Sequence, residues 1–362
     1  MNGPAKRRRR SRKALLKAFA FGVGAGLFAA CARDAPAPLY GPGDCRRATI
    51  IDAETGAPII GAEDIAFDSR NSRLIISAYD RRAAERTVRS SEAPPDGGIY
   101  ALSVEGLFDA EDALALQSLV NRRGIDDGLR PHGLSLDEAS GDILFINRAY
   151  VRAASDRRWQ REARLVRLDS GGAVQSTAPA HCAANDIAIN AHGGLAISAD
   201  HAACGWRAGL EDVLGQTKSA VFDEDGAVIE EGLGFANGLA APGGDLIVAA
   251  TREKRLRWLG GGSGPALKMP GAPDNLSIAP DGALIVALHP SLFRLALNRK
   301  LGFGRAGSRI VKVDPATGDT QYLFNDPAGA IFSAATVGVE TARGLVVGSV
   351  TDAGLLLCEK AP

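Results

Sequence analysis

Oxygen-bearing side chains precede several otherwise apolar strands of this 362-residue chain. The stretch PDNLSIAPDGALIVALHP, residues 273–290, predicts a β-hairpin, because two apolar runs flank the turn sequence Pro-Asp-Gly. Asp274 and Asn275 precede the first run, and His289 ends the second. Carboxylate, amide and imidazole groups at the edge of a buried strand could bind a metal ion, although Asp and Asn also favour turns for purely conformational reasons.

The same phrase recurs six times: a polar pair, a short strand, a Gly- or Asp-bearing turn and a very apolar strand. The copies begin at Glu63, His132, Asn185, Asn237, Asp274 and, more loosely, Ser333. Repeats averaging about 50 residues are typical of the four-stranded blades of a β-propeller. We therefore predict an all-β fold, a six-bladed β-propeller, over residues 45–362. Residues 109–124 are predicted to form a short helix or an excursion between blades.

The innermost strand of each propeller blade lines a central channel, so equivalent positions in successive blades lie around one ring. One polar pair alone is explained by strand-start preference, but five pairs in register favour a shared site. Two carboxylates buried there would need a counter-charge, and no Lys or Arg is expected in the ring. The oxygen-rich set favours calcium over zinc and leaves an open position on an ion that takes about 6–8 ligands. Asp64 and Asp186 could supply a second, structural cation site.

The ordered phrases EDIAFD, RPHGLSL, NDIAI, FANGLA and PDNLSI…HP resemble the successive blade motifs of the paraoxonase/arylesterase family. The early GDCRRA and the terminal LLLCEK resemble its disulfide-bonded ends, so the resemblance extends from about Cys45 to Cys358. It implies a six-bladed propeller with two calcium ions and the hydrolysis of lactones and aryl esters. The catalytic ion would be held by Glu63, Asn185, Asn237, Asp274 and Asn275. The structural ion would be held by Asp64, Asp186 and the backbone carbonyl of Leu134.

The resemblance also implies roles for histidines. His132 matches the histidine that activates the attacking water, and His289 matches one near the wall of the active site. Arg148 stands where the family has an assisting histidine, and an arginine cannot act as a base. It could bind a substrate carboxylate or phosphate, or form a salt bridge within the wall. His201 falls at another position that is commonly occupied by histidine, where packing is the favoured interpretation.

We therefore predict a calcium-dependent hydrolase of lactones or activated esters, with a small-molecule substrate. The alternative is a non-catalytic exported propeller that calcium stabilises and that binds a ligand or a protein. Propellers resembling gluconolactonases or strictosidine synthases offer a third possibility, with other substrates. The sequence has no GxSxG, phosphate-binding or nucleic-acid motif, and 42 Lys and Arg balance 42 Asp and Glu. No nucleic-acid partner is expected.

Residues 1–31 are predicted to be an export signal, because a basic run precedes the apolar residues 18–30, which are too few to span a membrane as a helix. FAAC resembles a lipoprotein box, with Phe28 in place of an aliphatic residue, and predicts lipidation of Cys31. SRKALLK resembles a twin-arginine signal with Lys13 in place of the second arginine. An uncleaved membrane anchor is the alternative. Residues 32–44 are predicted to be a Pro-rich tether, and we expect a periplasmic or membrane-attached protein.

The four remaining cysteines of an exported chain predict disulfides. Cys45 and Cys358 lie near the two ends of the folded region, so their pairing would join the termini. Cys182 and Cys204 flank the HGG turn almost symmetrically. A hairpin could bring them together, although strand twist leaves that pairing open.

Overall fold

The computed structural model describes residues 35–88, 90, 92–120, 125, 128–152, 159–262 and 264–360. The predicted export signal, Cys31 and the start of the tether lie outside these residues. Residues 35–37 have no regular secondary structure. None of the helices within the described ranges has the length and apolar character needed to span a membrane.

The described strands form six sheets, which are the six blades of a propeller, as predicted. Blade 1 contains β2 (Ile50–Asp52), β3 (Ala62–Asp68), β4 (Arg73–Ala78), β5 (Gly98–Ser103) and β6 (Leu114–Ser118). Blade 2 contains β7 (Pro131–Leu136), β8 (Ile143–Val151), β9 (Gln160–Leu168) and β10 (Val174–Ala180). Blade 3 contains β11 (Ala184–Ile189), β12 (Leu195–Ala199), β13 (Ser219–Asp223) and β14 (Val228–Leu233).

Blade 4 contains β15 (Ala236–Ala240), β16 (Ile247–Ala250), β17 (Arg255–Trp258) and β18 (Leu267–Lys268). Blade 5 contains β19 (Ala272–Ile278), β20 (Leu284–His289), β21 (Ser308–Val313) and β22 (Thr320–Asp326). Blade 6 contains β23 (Ala335–Glu340), β24 (Gly344–Ser349), β25 (Leu355–Glu359) and, from the other end of the folded region, β1 (Cys45–Ala48). The inner strands β3, β7, β11, β15, β19 and β23 contact one another in sequence, and β23 contacts β3 to close the ring.

Blade 6 closes the ring because β1 pairs antiparallel with β25, in a register that places Cys45 opposite Cys358. These two cysteines form a disulfide, so the predicted joining of the ends is confirmed. Cys182 and Cys204 are also bonded. After β1 the chain passes to β2, which pairs parallel to β6 and gives blade 1 its fifth strand.

The second strand of each blade is buried on both faces, between the neighbouring blades. Residues 284–288 of β20, for example, are all fully buried. A strand that contacts protein on both faces has no polar face, which explains the uninterrupted apolar runs of the repeated phrase.

The structure corrects the helical alternative for residues 109–124. Residues 114–118 form β6, the strand of blade 1 that pairs with β5 and β2. Within it Leu116 is fully buried, whereas its neighbours Ala115 and Gln117 are exposed, so period-two burial outweighs helix propensity. Residues 121–124 lie outside the described part of the chain.

In the described part of the chain, three α-helices follow the second strands of alternate blades. They are α1 (Arg81–Thr87) after β4, α2 (Trp206–Leu214) after β12 and α3 (Leu292–Leu301) after β20. The N-terminus of α1 is capped by Asp80, and that of α3 by Ser291. Because the second strands of all blades run toward the same end of the channel, the helices lie over that end. Arg82 of α1 donates to Asn298 of α3 over 2.6 Å and connects two of them.

A β-bulge interrupts the pairing of every inner strand with its neighbour at the polar pair. In blade 1 the register shifts between Ala62 and Asp64, and in blade 4 between Ala236 and Leu239. A bulge turns a side chain away from the alternating pattern of a strand. Six bulges at equivalent places therefore direct one side chain from each blade into the channel.

Glycine occupies the second position of the polar pair where the next blade approaches closely. A Cβ on Gly238 would lie 2.5 Å from the carbonyl oxygen of Asp274 and 2.6 Å from Cα of Asn275. A Cβ added to Gly133 would likewise lie 2.4 Å from the carbonyl oxygen of Asn185 and from Cα of Asp186. Only a residue without a side chain permits this contact between inner strands.

We expect Gly238→Ala to destabilise the protein by about 1–3 kcal/mol or more, because backbone atoms of β19 would have to move. Gly209→Ala in α2 is the matched control, since no atom lies within 4 Å of its added Cβ. That control should be neutral or stabilise by about 0.5–1 kcal/mol. Urea unfolding of both variants measures the difference, and equal midpoints would contradict the close approach.

Candidate metal centre and active site

The six bulges place six buried side chains around one end of the channel: Glu63, His132, Asn185, Asn237, Asp274 and Thr336. All six line a single cavity of about 390 Å³. The sequence predicted the first five. Thr336 was missed because the sixth copy of the repeated phrase is looser. Its position as the second residue of the stretch ATVGVE was only a weak signal.

The second residues of the pairs fasten the inner strands to one another. The carboxylate of Asp64 accepts hydrogen bonds from the amides of Ile65 (2.9 Å) and Leu134 (2.8 Å). Asp186 accepts in the same way from Ile187 (2.8 Å) and Leu239 (2.7 Å). Each carboxylate therefore joins its own strand to the inner strand of the next blade. Asp64 lies beside Leu134, but through its amide; the second cation site, which would use the Leu134 carbonyl, stays a prediction.

Three side-chain oxygens of the predicted calcium ligands are buried without a hydrogen-bond partner among the described residues: Asn185 Oδ1, Asn237 Oδ1 and Asn275 Oδ1. A fourth buried oxygen, Glu63 Oε2, lies 2.8 Å from His132 Nδ1. The amide nitrogens of all three asparagines do donate: to Asp200 Oδ2 (3.2 Å), to Asp274 Oδ1 and to the carbonyl of Glu63 (2.9 Å), respectively. Buried oxygens without a partner are costly, so their coincidence on the predicted ligands fits a bound cation.

The donor set also decides which cation fits. Across the part of the chain that is described, the ring carboxylates and imidazoles alone do not form a three-ligand cluster, so the asparagine oxygens are essential. Amide and carboxylate oxygens are ligands of calcium rather than zinc. His181, Cys182 and Cys204 lie close enough to share a metal, but the disulfide occupies both sulfurs.

Arg81 corrects the expectation that no cation reaches the ring. It enters from α1, and its Nη2 lies 3.7 Å from Glu63 Oε1 and 2.6 Å from His132 Nδ1. Its Nε donates to the Tyr79 hydroxyl over 3.2 Å. Glu63 therefore has a positive neighbour besides any metal ion, and the case for calcium depends on the unpartnered oxygens rather than on charge alone.

Burial raises the pKa of three carboxyl groups of the polar pairs, those of Glu63, Asp64 and Asp186. It raises the pKa of Glu63 to about 8, with Asp274 and Asp64 adding to the effect against the opposing charge of Arg81. It raises the pKa of Asp64 to about 7, although the amides of Leu134 and Ile65 oppose the change. The pKa of Asp186 also rises, through burial and the charge of Asp64. Without a cation these groups are protonated to a large extent at neutral pH.

His132 is the buried imidazole of the ring. Its Nδ1 lies 2.8 Å from Glu63 Oε2. Burial lowers its pKa well below the usual value, and the charges of Arg148 and Arg81 lower it further. The imidazole is therefore neutral at pH 7, which leaves it able to accept a proton.

His289 lines the same cavity and its Nε2 lies 2.6 Å from Asp274 Oδ2, whereas its Nδ1 has no partner among the described residues. It therefore orients a predicted calcium ligand and presents a free ring nitrogen.

Arg148 is buried in the wall behind Asn185. Its guanidinium donates to the carbonyl of Ala184 (3.1 Å) and to Asp200 Oδ2 (3.3 Å). Of its two predicted roles, the geometry corresponds to the salt bridge within the wall. Burial lowers its pKa to about 10, so it remains charged at neutral pH.

His201 lies between two carboxylates, with Nδ1 2.6 Å from Asp200 Oδ1 and Nε2 2.9 Å from Asp212 Oδ1. Although burial opposes protonation, these carboxylates raise its pKa to about 9. It is a charged member of an ion-pair network, and it holds Asp200 where Asn185 donates to it.

The helices cover the cavity. Arg299 and Lys300 of α3, Asp212 of α2 and Arg81 of α1 contribute to its lining, together with apolar side chains of α3 such as Phe293. The cavity is therefore bounded by the polar ring on one side and by apolar and basic side chains of the helices on the other.

No family model matches the chain, and no curated protein matches it in sequence. A solved structure named only provisionally as a gluconolactonase is similar over 89% of this chain and 94% of its own, with 15% identity and a TM-score of 0.50. A virginiamycin B lyase from Staphylococcus aureus, a catalytically inactive variant with quinupristin, is similar over 88% of this chain and 99% of its own, with 9% identity and a TM-score of 0.48. Regucalcin from Agrobacterium tumefaciens, a calcium-binding protein, is similar over 86% of this chain and 94% of its own, with 13% identity and a TM-score of 0.44.

At these identities the likeness concerns the fold, and the functions of the three proteins differ. Fold alone does not imply function. The resemblance of the motifs to the paraoxonase/arylesterase family stays a prediction, whereas the architecture is shown: the chain is a six-bladed β-propeller, similar in fold to the structure named provisionally as a gluconolactonase.

Proposed function

We propose that the protein is a calcium-dependent hydrolase of lactones or of aryl and activated esters. The observation that carries the proposal is the set of three buried asparagine oxygens without a partner on the predicted ligands, beside a cavity that also contains Glu63 and His132. Glu63, Asn185, Asn237, Asp274 and Asn275 would hold the catalytic ion. Asp64, Asp186 and the carbonyl of Leu134 would hold a second, structural ion.

A bound calcium ion with an open coordination position would supply Lewis-acid polarisation of the substrate carbonyl. The side chains of the chain do the rest. His132, neutral at pH 7, accepts a proton from the water that attacks the carbonyl. The positive charges that keep it neutral also make it a weak base. His289 and Asn237 fix Asp274 in position from two sides.

A non-catalytic, calcium-stabilised binding propeller is the second candidate. The observation that favours it is Arg148, which occupies the position of the assisting histidine and is engaged with Ala184 and Asp200. The two candidates share the metal site and differ only in turnover, so one set of substrates separates them.

The two disulfides fit an oxidising compartment outside the cytoplasm. Export by residues 1–31, lipidation of Cys31 and membrane attachment are part of the proposal. The mass of the intact mature protein distinguishes cleavage, lipidation and retention of this segment.

We expect calcium to raise the melting temperature of the wild-type protein and not that of Asn237→Leu. The substitution removes a buried oxygen that lacks a partner, but also the amide that donates to Asp274 Oδ1, so we expect it to cost about 1–3 kcal/mol in a metal-free buffer. Thermal unfolding with calcium, with magnesium and without metal measures this. Equal stabilisation of both proteins by calcium would exclude Asn237 as a ligand.

We expect the metal-free protein to lose stability as pH rises from about 5 to 8. The folded protein binds more protons than the unfolded chain in this window, because the pKa of Glu63 is raised from 4.5 to about 8 and that of Asp64 from 3.8 to about 7. Calcium binds the ionised carboxylates, so the stabilisation by calcium should grow over the same window. Melting temperatures with and without calcium between pH 5 and 8 test this, and a constant difference would contradict it.

We expect His132→Gln to lower kcat/KM on lactones and phenyl esters by about 10²–10⁴-fold, because the proton acceptor is lost. The rise in melting temperature with calcium should remain. His192→Gln is the matched control, since His192 is exposed in a turn. If the wild type binds calcium but hydrolyses no lactone or ester, the enzyme proposal fails and the binding propeller stands.

A further inference from the structure

Four cationic side chains line the cavity: Arg81, Arg252, Arg299 and Lys300. Two of them share one carboxylate. Arg252 is ion-paired with Asp212 Oδ1, and Lys300 Nζ lies 3.8 Å from Asp212 Oδ2. The other two come from different helices: Arg81 has Glu63 Oε1 at 3.7 Å, whereas Arg299 has no ion pair among the described residues.

Arg299 has no carboxylate within salt-bridge distance among the described residues, although it is half-buried and faces the cavity. Arg294, one turn earlier on α3, differs: it donates to the carbonyls of Pro327 and Ala328 on the outside of the protein. Arg299 therefore has the charge and the placement of a ligand-binding residue.

Arg81 is 7% exposed, and a buried guanidinium requires strong partners. Its hydrogen-bonding neighbours are the neutral groups of Tyr79 and His132. The carboxylate of Glu63, at 3.7 Å, lies beyond hydrogen-bond distance. The planar guanidinium is suited to a carboxylate held in the fork of its nitrogens, and no protein carboxylate takes that place among the residues described.

The two arginines are held in a fixed relation. Arg82, next to Arg81, donates to the side chain and the backbone carbonyl of Asn298, next to Arg299. Asn298 is itself buried and donates to the carbonyl of Gly304. The connection of α1 to α3 therefore sets both guanidinium groups over the same cavity before any ligand arrives.

We propose that Arg81 and Arg299 form an anion subsite above the ring, and that the preferred substrates are lactones or esters that carry a carboxylate of their own. The reacting carbonyl would lie at the ring and the pendant carboxylate between the arginines. The subsite concerns binding and can be tested without turnover, whereas the substrate class rests on the hydrolase function proposed above.

The binding test uses metal-free protein in chelator-free buffer, since a polyanionic chelator would compete for the subsite. Glutarate, a dicarboxylate, and glutaramide, its neutral analogue, are titrated by calorimetry. We expect glutarate to bind at least about tenfold more tightly, and Arg299→Gln to weaken it by about tenfold. Arg81→Gln should weaken glutarate binding to a similar extent. Arg294→Gln, on the outer side of α3, should leave the affinity for glutarate unchanged. Melting temperatures confirm that each variant is folded.

Equal affinity for glutarate and glutaramide, or unchanged glutarate binding in Arg299→Gln, would overturn the subsite. The kinetic test compares a lactone bearing a carboxylate with its methyl ester, and we expect kcat/KM to favour the acid by about tenfold or more in the wild type and not in Arg299→Gln. Arginine-dependent glutarate binding without hydrolysis of any lactone would contradict only the hydrolase. Hydrolysis without preference for the acid would contradict only the substrate class.

Discussion

The β-bulge at the start of each inner strand is the constraint on which the site depends. A regular strand would alternate its side chains between the two neighbouring blades, so that no two adjacent polar residues could serve the channel together. The bulge lets the first residue of the pair face the cavity while the second fastens its strand to the next blade, as Asp64 and Asp186 do. Where the next blade approaches too closely for any side chain, as at Gly238, glycine takes the second position.

The geometry creates an electrostatic difficulty, and the chain meets it in two ways. Carboxylates and amide oxygens converge in a buried channel, where an unpartnered acceptor is expensive. The unpartnered oxygens of the three asparagines, beside the Glu63 carboxylate, suit a divalent cation. Arg81 adds a protein cation beside Glu63 and His132. A bound cation and Arg81 would act in the same direction, because a guanidinium close to a metal site raises the positive potential of the cavity and favours anionic ligands.

The fold and most of the ring can be predicted from the sequence because the repeated phrase contains both the strands of each blade and the polar residue that each blade contributes. Register among the copies is enough to assign Glu63, Asn185 and Asp274 to equivalent positions in three blades. The contribution of Arg81 cannot be predicted in this way, since α1 lies outside the repeat and only tertiary packing brings it to the channel. The same holds for the salt bridge that engages Arg148: Asp200 is distant in sequence and is placed by the end of β12. Strand β6 is ambiguous because its five residues carry little periodicity.

Closure at blade 6 has a consequence for the durability of the site. The disulfide between Cys45 and Cys358, 313 residues apart, makes almost the whole propeller one covalent loop. A protease that cuts this loop once, at an exposed turn between two blades, leaves both pieces covalently joined. Each piece also keeps its inner strands packed against neighbours on both sides of the ring. In a compartment rich in hydrolases, the channel and its converging side chains can therefore outlast damage that would release a fragment from an open chain.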